Sequence, residues 1–164
     1  MLRCRYCGSA TAKKVKDINV YTQLKLAVVA GLRREESIHT GLALARGYNI
    51  VKDNKLILQL SWCKNNQSRN IELSAEKIKE IKELQKYVTG GKYKMDRDLK
   101  QEKNHLSNAI RAQGFNIHAA RHSYAKEEFL KESEKGLDEK EAKQAVSEKL
   151  GHHRTEVTRV YLAK

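Results

Sequence analysis

Not one proline occurs in the 164 residues of this chain. Proline stops a helix more sharply than any other residue, because its ring fixes φ and leaves no N–H to donate. A chain without it is free to be helix-rich and has to end its helices by other means. Glycine does this here. Apolar runs at helical spacing break off at Gly31, Gly47, Gly90-Gly91, Gly114, Gly136 and Gly151.

The runs between these stops predict helices over residues 18–30, 34–45, 75–89, 95–113, 117–135 and 138–150, with a last one from about residue 155. Ser74 is placed to cap the third, and Asp138 with Glu141 forms a capping box for the sixth. Inward positions include Leu24, Leu26, Val28 and Val29 in the first helix and Leu99, Leu106 and Ile110 in the fourth. The period changes between residues 48 and 73. Residues 48–51, 55–62 and 69–73 read as strands, and the polar turn Lys64-Asn65-Asn66-Gln67-Ser68 joins the last two as a hairpin. The expected fold is α+β and mostly α: a helical domain over residues 18–164 with a small three-stranded antiparallel sheet. A basic tail or linker, residues 1–17, precedes it.

Lysine and arginine number 33 against 20 acidic residues, a formal charge of +13. Such an excess favours a polyanionic partner, most simply nucleic acid, and charge alone leaves a well-solvated basic surface as an equal alternative to DNA binding. No apolar run approaches the roughly 20 residues that span a bilayer, and residues 1–16 lack the apolar core of a signal peptide. The expectation is a soluble cytoplasmic protein associated with the nucleoid, with no membrane partner. Cys4 and Cys7 have the spacing of a zinc knuckle, but no second pair completes the usual four ligands. Together with Cys63 they make an odd count, against a disulfide framework. No metal is expected.

The chemistry-bearing residues lie in short stretches far apart. Gly31-Leu32-Arg33-Arg34-Glu35-Glu36 follows the first helix, His118-Ala119-Ala120-Arg121-His122 opens the fifth, and Leu150-Gly151-His152 ends the sixth. Tyr161 stands nine positions after His152. A phosphodiester is anionic, and attack on it builds more charge on its oxygens. Arginine suits that charge, because its planar fork donates two parallel hydrogen bonds and never deprotonates. Arg33 and Arg121 are the candidates, although any single arginine in so basic a chain is by default a surface residue. Glu36 shares a helix face with Arg33 and is placed to orient it or a nearby histidine. His118 and Arg121, at i and i+3, project toward one ligand, and His118 suits proton transfer near neutral pH. His122 points elsewhere on the helix, toward packing or support. Tyr161 on a last helix is either core packing or a phenol nucleophile. His39 and His105 have no evident partners.

These motifs, in this order, resemble those of the tyrosine recombinases, the family of phage and plasmid integrases and Xer-type resolvases. The resemblance covers the chain from about residue 18 to the end. The first arginine box is similar to Gly31–Glu36, the hairpin lysine to Lys64, the second box to His118–His122, and the third to Leu150-Gly151-His152 with Tyr161. Thr158 also stands at a familiar place. Ile117 replaces the proline that often precedes the second-box histidine. Members usually carry a separate N-terminal DNA-clamping domain and a C-terminal extension. This sequence is therefore expected to be an isolated catalytic domain, a truncated gene or a minimal member.

The resemblance implies strand cleavage and rejoining through a 3′-phosphotyrosyl bond. Tyr161 would be the nucleophile. Arg33, Arg121 and His152 would stabilise the transition state, His118 would handle the tyrosine proton, and Lys64 would protonate the leaving 5′-oxygen. No cofactor is implied. Double-stranded DNA is the partner, with a homotetramer on DNA and room for accessory DNA-bending proteins. Lys13, Lys14, Lys16 and Arg69 are the candidates for contact with the DNA backbone, a solvated tail being the alternative for the lysines. Three rivals stay open: type IB topoisomerase-like relaxation, a non-catalytic DNA-binding remnant, and a zinc-ribbon-like adaptor built on Cys4 and Cys7.

Overall fold

Residues 15–63, 68–114, 116–151 and 162 are described by the computed structural model. Its elements run α1 (Ile18–Ala30), α2 (Arg34–Ala45), β1 (Val51–Lys52), β2 (Lys55–Leu58), β3 (Arg69–Glu72), α3 (Ala75–Val88), α4 (Leu99–Arg111), α5 (Ile117–Glu134) and α6 (Glu139–Lys149). The architecture is mostly helical with one small antiparallel sheet, as the sequence pattern predicts. Among the described residues no helix is long and apolar enough to cross a membrane.

The first helix sits in the middle, packed against α2, α3, α4 and α5. A helix enclosed on all sides has to be apolar nearly all round, and Leu26, Ala27, Val28, Val29 and Ala30 are all buried. Asp17 caps its start by accepting from the amides of Asn19 and Val20, at 2.9 and 3.2 Å. Gly31 ends it in the left-handed region, at φ +61°. Polar residues that this helix buries bond to α4 and its approach. Gln23 Nε2 donates to Glu102 Oε1 on α4 at 2.8 Å and to the Tyr93 hydroxyl at 2.8 Å. That hydroxyl in turn donates to the Ile38 carbonyl. Arg97 supplies the counter-charge to the wholly buried Glu102, at 3.2 Å. An unpaired carboxylate would be too costly there, so this network fixes how α4 seats on α1.

The sheet has the order β1-β2-β3, with Val51 opposite Leu56 and Leu56 opposite Ile71. Leu56 and Leu58 face the core with Ile71, Leu26, Leu32 and Leu44. Burying one such side chain contributes about 2 kcal/mol. Two strand boundaries differ from expectation. The first strand is only Val51–Lys52, because Asp53 and Asn54, both at positive φ, make a two-residue hairpin turn directly after it. The second stops at Leu58, and Leu60–Trp62 winds into a 3-10 turn that leaves Leu60 exposed. The fourth helix starts at Leu99 and not at residue 95, because Asp98 and Gln101 form a capping box there. The last predicted helix, with Val157, Val160 and Tyr161, lies outside the described residues apart from the helical Leu162.

The sixth helix packs on α5 through Tyr124, Ala125, Val146 and Leu150. Beside that contact runs a chain of ion pairs. Glu128 on α5 accepts from Lys77 of α3 at 2.8 Å and from Lys149 of α6 at 2.7 Å, and Lys149 also reaches Glu132 at 2.6 Å. Lys77 lies over the Tyr124 ring, 4.4 Å from its centre.

Candidate functional site

Residues of three of the sequence boxes meet where α1 and α6 end. Gly31 brings the chain out of α1 so that Arg33 becomes the residue just before α2. A side chain at Gly31 would strike Tyr124, since a Cβ there would lie 2.5 Å from the ring's Cδ1. The glycine thus lets α5 press its Tyr124 ring against the α1–α2 turn. Arg121 lies one helical turn before Tyr124 on α5 and is carried to the same place.

Arg121 is 2% exposed. Its Nη1 donates to the Gly31 carbonyl and its Nη2 to the Leu150 carbonyl at 3.2 Å. Arg33 Nη2 donates to the next carbonyl, Gly151, at 2.8 Å. Arg69, at the start of β3, donates from Nη1 to the preceding one, Lys149, at 2.7 Å. Three consecutive carbonyls at the C-terminus of α6 are therefore each held by a different arginine. These are groups that a helix end leaves without internal partners, at its negative pole, so cations suit them.

Glu36, 1% exposed, ties the cluster together. Oε2 accepts from the Arg33 backbone N–H at 2.7 Å and from Arg69 Nη2 at 2.6 Å, and Oε1 accepts from Arg33 Nη1 at 2.9 Å. Burial raises the Glu36 carboxyl, but Arg69, the Arg33 amide, Arg33 and Arg121 outweigh it and hold the acid below its ordinary range. It stays ionised, and three guanidiniums face one carboxylate. Glu36 was expected to orient Arg33 or a nearby histidine, and the groups it bonds are Arg33 and Arg69.

His118 is exposed in the first turn of α5, where Asn116 caps its amide at 2.9 Å. Desolvation, then Arg121, His122 and Arg34, lower its pKa and keep the ring neutral. His122 is half-buried. Lys64, His152, Thr158 and Tyr161, and with them Lys13, Lys14, Cys4 and Cys7, lie outside the described residues. Lys16 is exposed.

Arg69 was a candidate for contact with the DNA backbone; its side chain is 9% exposed and, like that of Arg121, has two nitrogens engaged inside the protein. Sequence reasoning overlooked Tyr124 and Cys63. The Cys63 thiol is buried near the cluster, and burial, then Glu36, pushes its pKa up. A cue for Tyr124 was available: it stands three residues after Arg121 and so shares its helix face. Among the described residues no group of three or more histidine, cysteine or acidic side chains is arranged to hold a metal. The chain matches no protein-family model, no curated protein and no solved structure.

Proposed function

We propose that this chain is the catalytic part of a site-specific DNA recombinase of the tyrosine type, cleaving and rejoining strands through a 3′-phosphotyrosyl intermediate, and that its helical fold is that family's catalytic domain. One observation carries the reading. Arg33 and Arg121, 88 positions apart by their numbers, meet at the turn that leads directly into His152. A metal-free phosphoryl transfer needs this kind of cationic, rigidly held corner to receive charge building on phosphorus.

In this reading the Tyr161 phenol attacks the scissile phosphorus, giving its proton to the neutral His118 ring. The bond to the 5′-oxygen breaks, and Lys64 protonates that oxygen as it leaves. The phosphotyrosyl bond keeps the energy of the broken phosphodiester, so a 5′-hydroxyl reverses the step without a nucleotide or cofactor. Arg33, Arg121 and His152 stabilise the pentavalent transition state, with Glu36, His122 and Thr158 in support. Double-stranded DNA is the substrate, and a homotetramer on DNA is the assembly for paired strand exchanges.

The test is covalent trapping. The protein is mixed with labelled, nicked duplexes tiled across the DNA beside its own gene. A denaturant-resistant shift is expected, and Tyr161→Phe removes it while DNA binding persists. An adduct that survives Tyr161→Phe refutes the nucleophile. Salt-sensitive binding with no adduct refutes catalysis by this chain and leaves a DNA-binding module.

A further inference from the structure

Arg69 lies in the middle of the cluster but has no part in the proposed chemistry. Its guanidinium joins two things that nothing else on its own strand joins. One nitrogen reaches the Lys149 carbonyl at 2.7 Å, and the other reaches Glu36 Oε2 at 2.6 Å, the same oxygen that accepts the Arg33 amide. Its stem fills the space under the Leu150-Gly151 turn. A Cβ on Gly151 would lie 2.9 Å from Arg69 Cδ, and Gly151 takes φ +66°. The sixth helix packs on α5, with Leu150 of its C-terminal turn in that contact, and the guanidinium bonds tie the turn to Arg33.

We infer that Arg69 is a positioning residue: through Glu36 it locks the turn at residues 149–151 to the backbone and side chain of Arg33, and so sets the distance between Arg33 and Arg121, which holds the same turn at Leu150. The inference rests on the recombinase reading for its activity readout and on geometry alone for its structural one. Two parallel bonds in a fixed plane are what the tie requires. Lysine keeps the charge but presents a single point donor and cannot span both acceptors.

The experiment is Arg69→Lys in the full chain, with three readouts. The rate of phosphotyrosyl formation at saturating DNA should fall on the order of a hundredfold, the scale of an ångström-level misplacement. DNA affinity should stay within about twofold, because Arg69 is turned away from the surface. The Gly151 amide resonance should shift and broaden in the DNA-free protein, a signal that general loss of stability does not give in a chain that still melts cooperatively. An unchanged rate, or a Gly151 resonance identical to wild type, overturns the inference. If the wild type forms no adduct, the recombinase reading falls, and the Gly151 resonance alone decides the role of Arg69. If Arg69→Lys does not fold, the wild type still gives the answer. The Arg69 guanidinium protons should exchange slowly as a locked group, and fast exchange refutes the tie.

Discussion

Glu128 is the residue whose loss the structure costs most clearly. It is 5% exposed on α5 and takes one lysine from α3 and another from α6. Burial pushes its carboxyl up, but the hydrogen bonds from Lys149 and Lys77 outweigh burial and hold it at about 2, against an ordinary 4.5. That gap is about 2.5 pH units, and at about 1.4 kcal/mol per unit it corresponds to about 3 kcal/mol of stability. The folded pKa is the depressed one. The contribution is therefore complete above pH 4.5 and disappears as pH falls from 4.5 toward 2. Glu128→Gln removes the charge and leaves Lys77, 7% exposed, facing Lys149 with Glu127 as its nearest remaining acid, at 3.4 Å. Breaking a buried pair from one side costs about 3–5 kcal/mol, which agrees with the linkage figure. Urea denaturation followed by far-UV circular dichroism, at pH 7 and in steps from pH 5 to 2, measures both. At pH 7 the variant should be about 3 kcal/mol less stable, and the difference from wild type should close as pH approaches 2. Asp17, Glu36 and Glu132 also have lowered values, so the comparison uses the difference between the two proteins. A variant within 1 kcal/mol of wild type at pH 7, or a difference that does not vary with pH, refutes the reasoning.

Gly31→Ala should destabilise by about 2–4 kcal/mol, from a methyl at positive φ and from displacement of the Tyr124 ring. A thermal melt within 1 °C of wild type contradicts that packing. EDTA should leave adduct formation intact, and activity that is lost to chelation and restored only by added metal counts against a metal-free transfer. Adduct formation should hold its rate as pH falls to 6.5 and drop only below it, because the His118 ring has to be neutral to accept a proton and its pKa is lowered. A decline that begins above pH 6.5 removes His118 from that role.

The helices were legible because their ends are written locally. Gly31, Asp138 and Ser74 act within a turn of where they stand, so 18–30 and 34–45 were readable to the residue. The apolar run of residues 55–62 misled because Leu60 and Trp62 continue the alternation past the point where β2 loses its partner. Asp53-Asn54 was a readable hairpin turn that the run of apolar residues overshadowed. What no local pattern carries is a pairing across the fold. Glu102, Lys77 and Glu128 sit at positions where a charged residue reads as solvated, and each is buried against a partner on another element: Gln23, Glu128 and Lys149, which lie 79, 51 and 21 residues away. His105 and His39 follow the same rule. One bonds Asp17 at 2.7 Å, and the other stacks on Trp62 at 6.1 Å, neither partner being a near neighbour in sequence. Within the candidate site, residue types named Arg33, Arg121 and Glu36, but only coordinates reveal that Arg69 turns inward.

The three guanidiniums on the end of α6 have a consequence for how the molecule is assembled. Arg33, Arg69 and Arg121 come from an early turn, the middle sheet and a late helix, and their acceptors are residues 149–151. The loops they close span 118, 80 and 29 residues, and long loops close late, because their entropy is lost before any contact compensates it. A ribosome-bound chain that has not yet released α6 can fold its α1-centred core while the three cations still lack their acceptors. The arginine corner is then among the last parts of the described fold to form, which separates the time at which this protein becomes compact from the time at which that corner is complete.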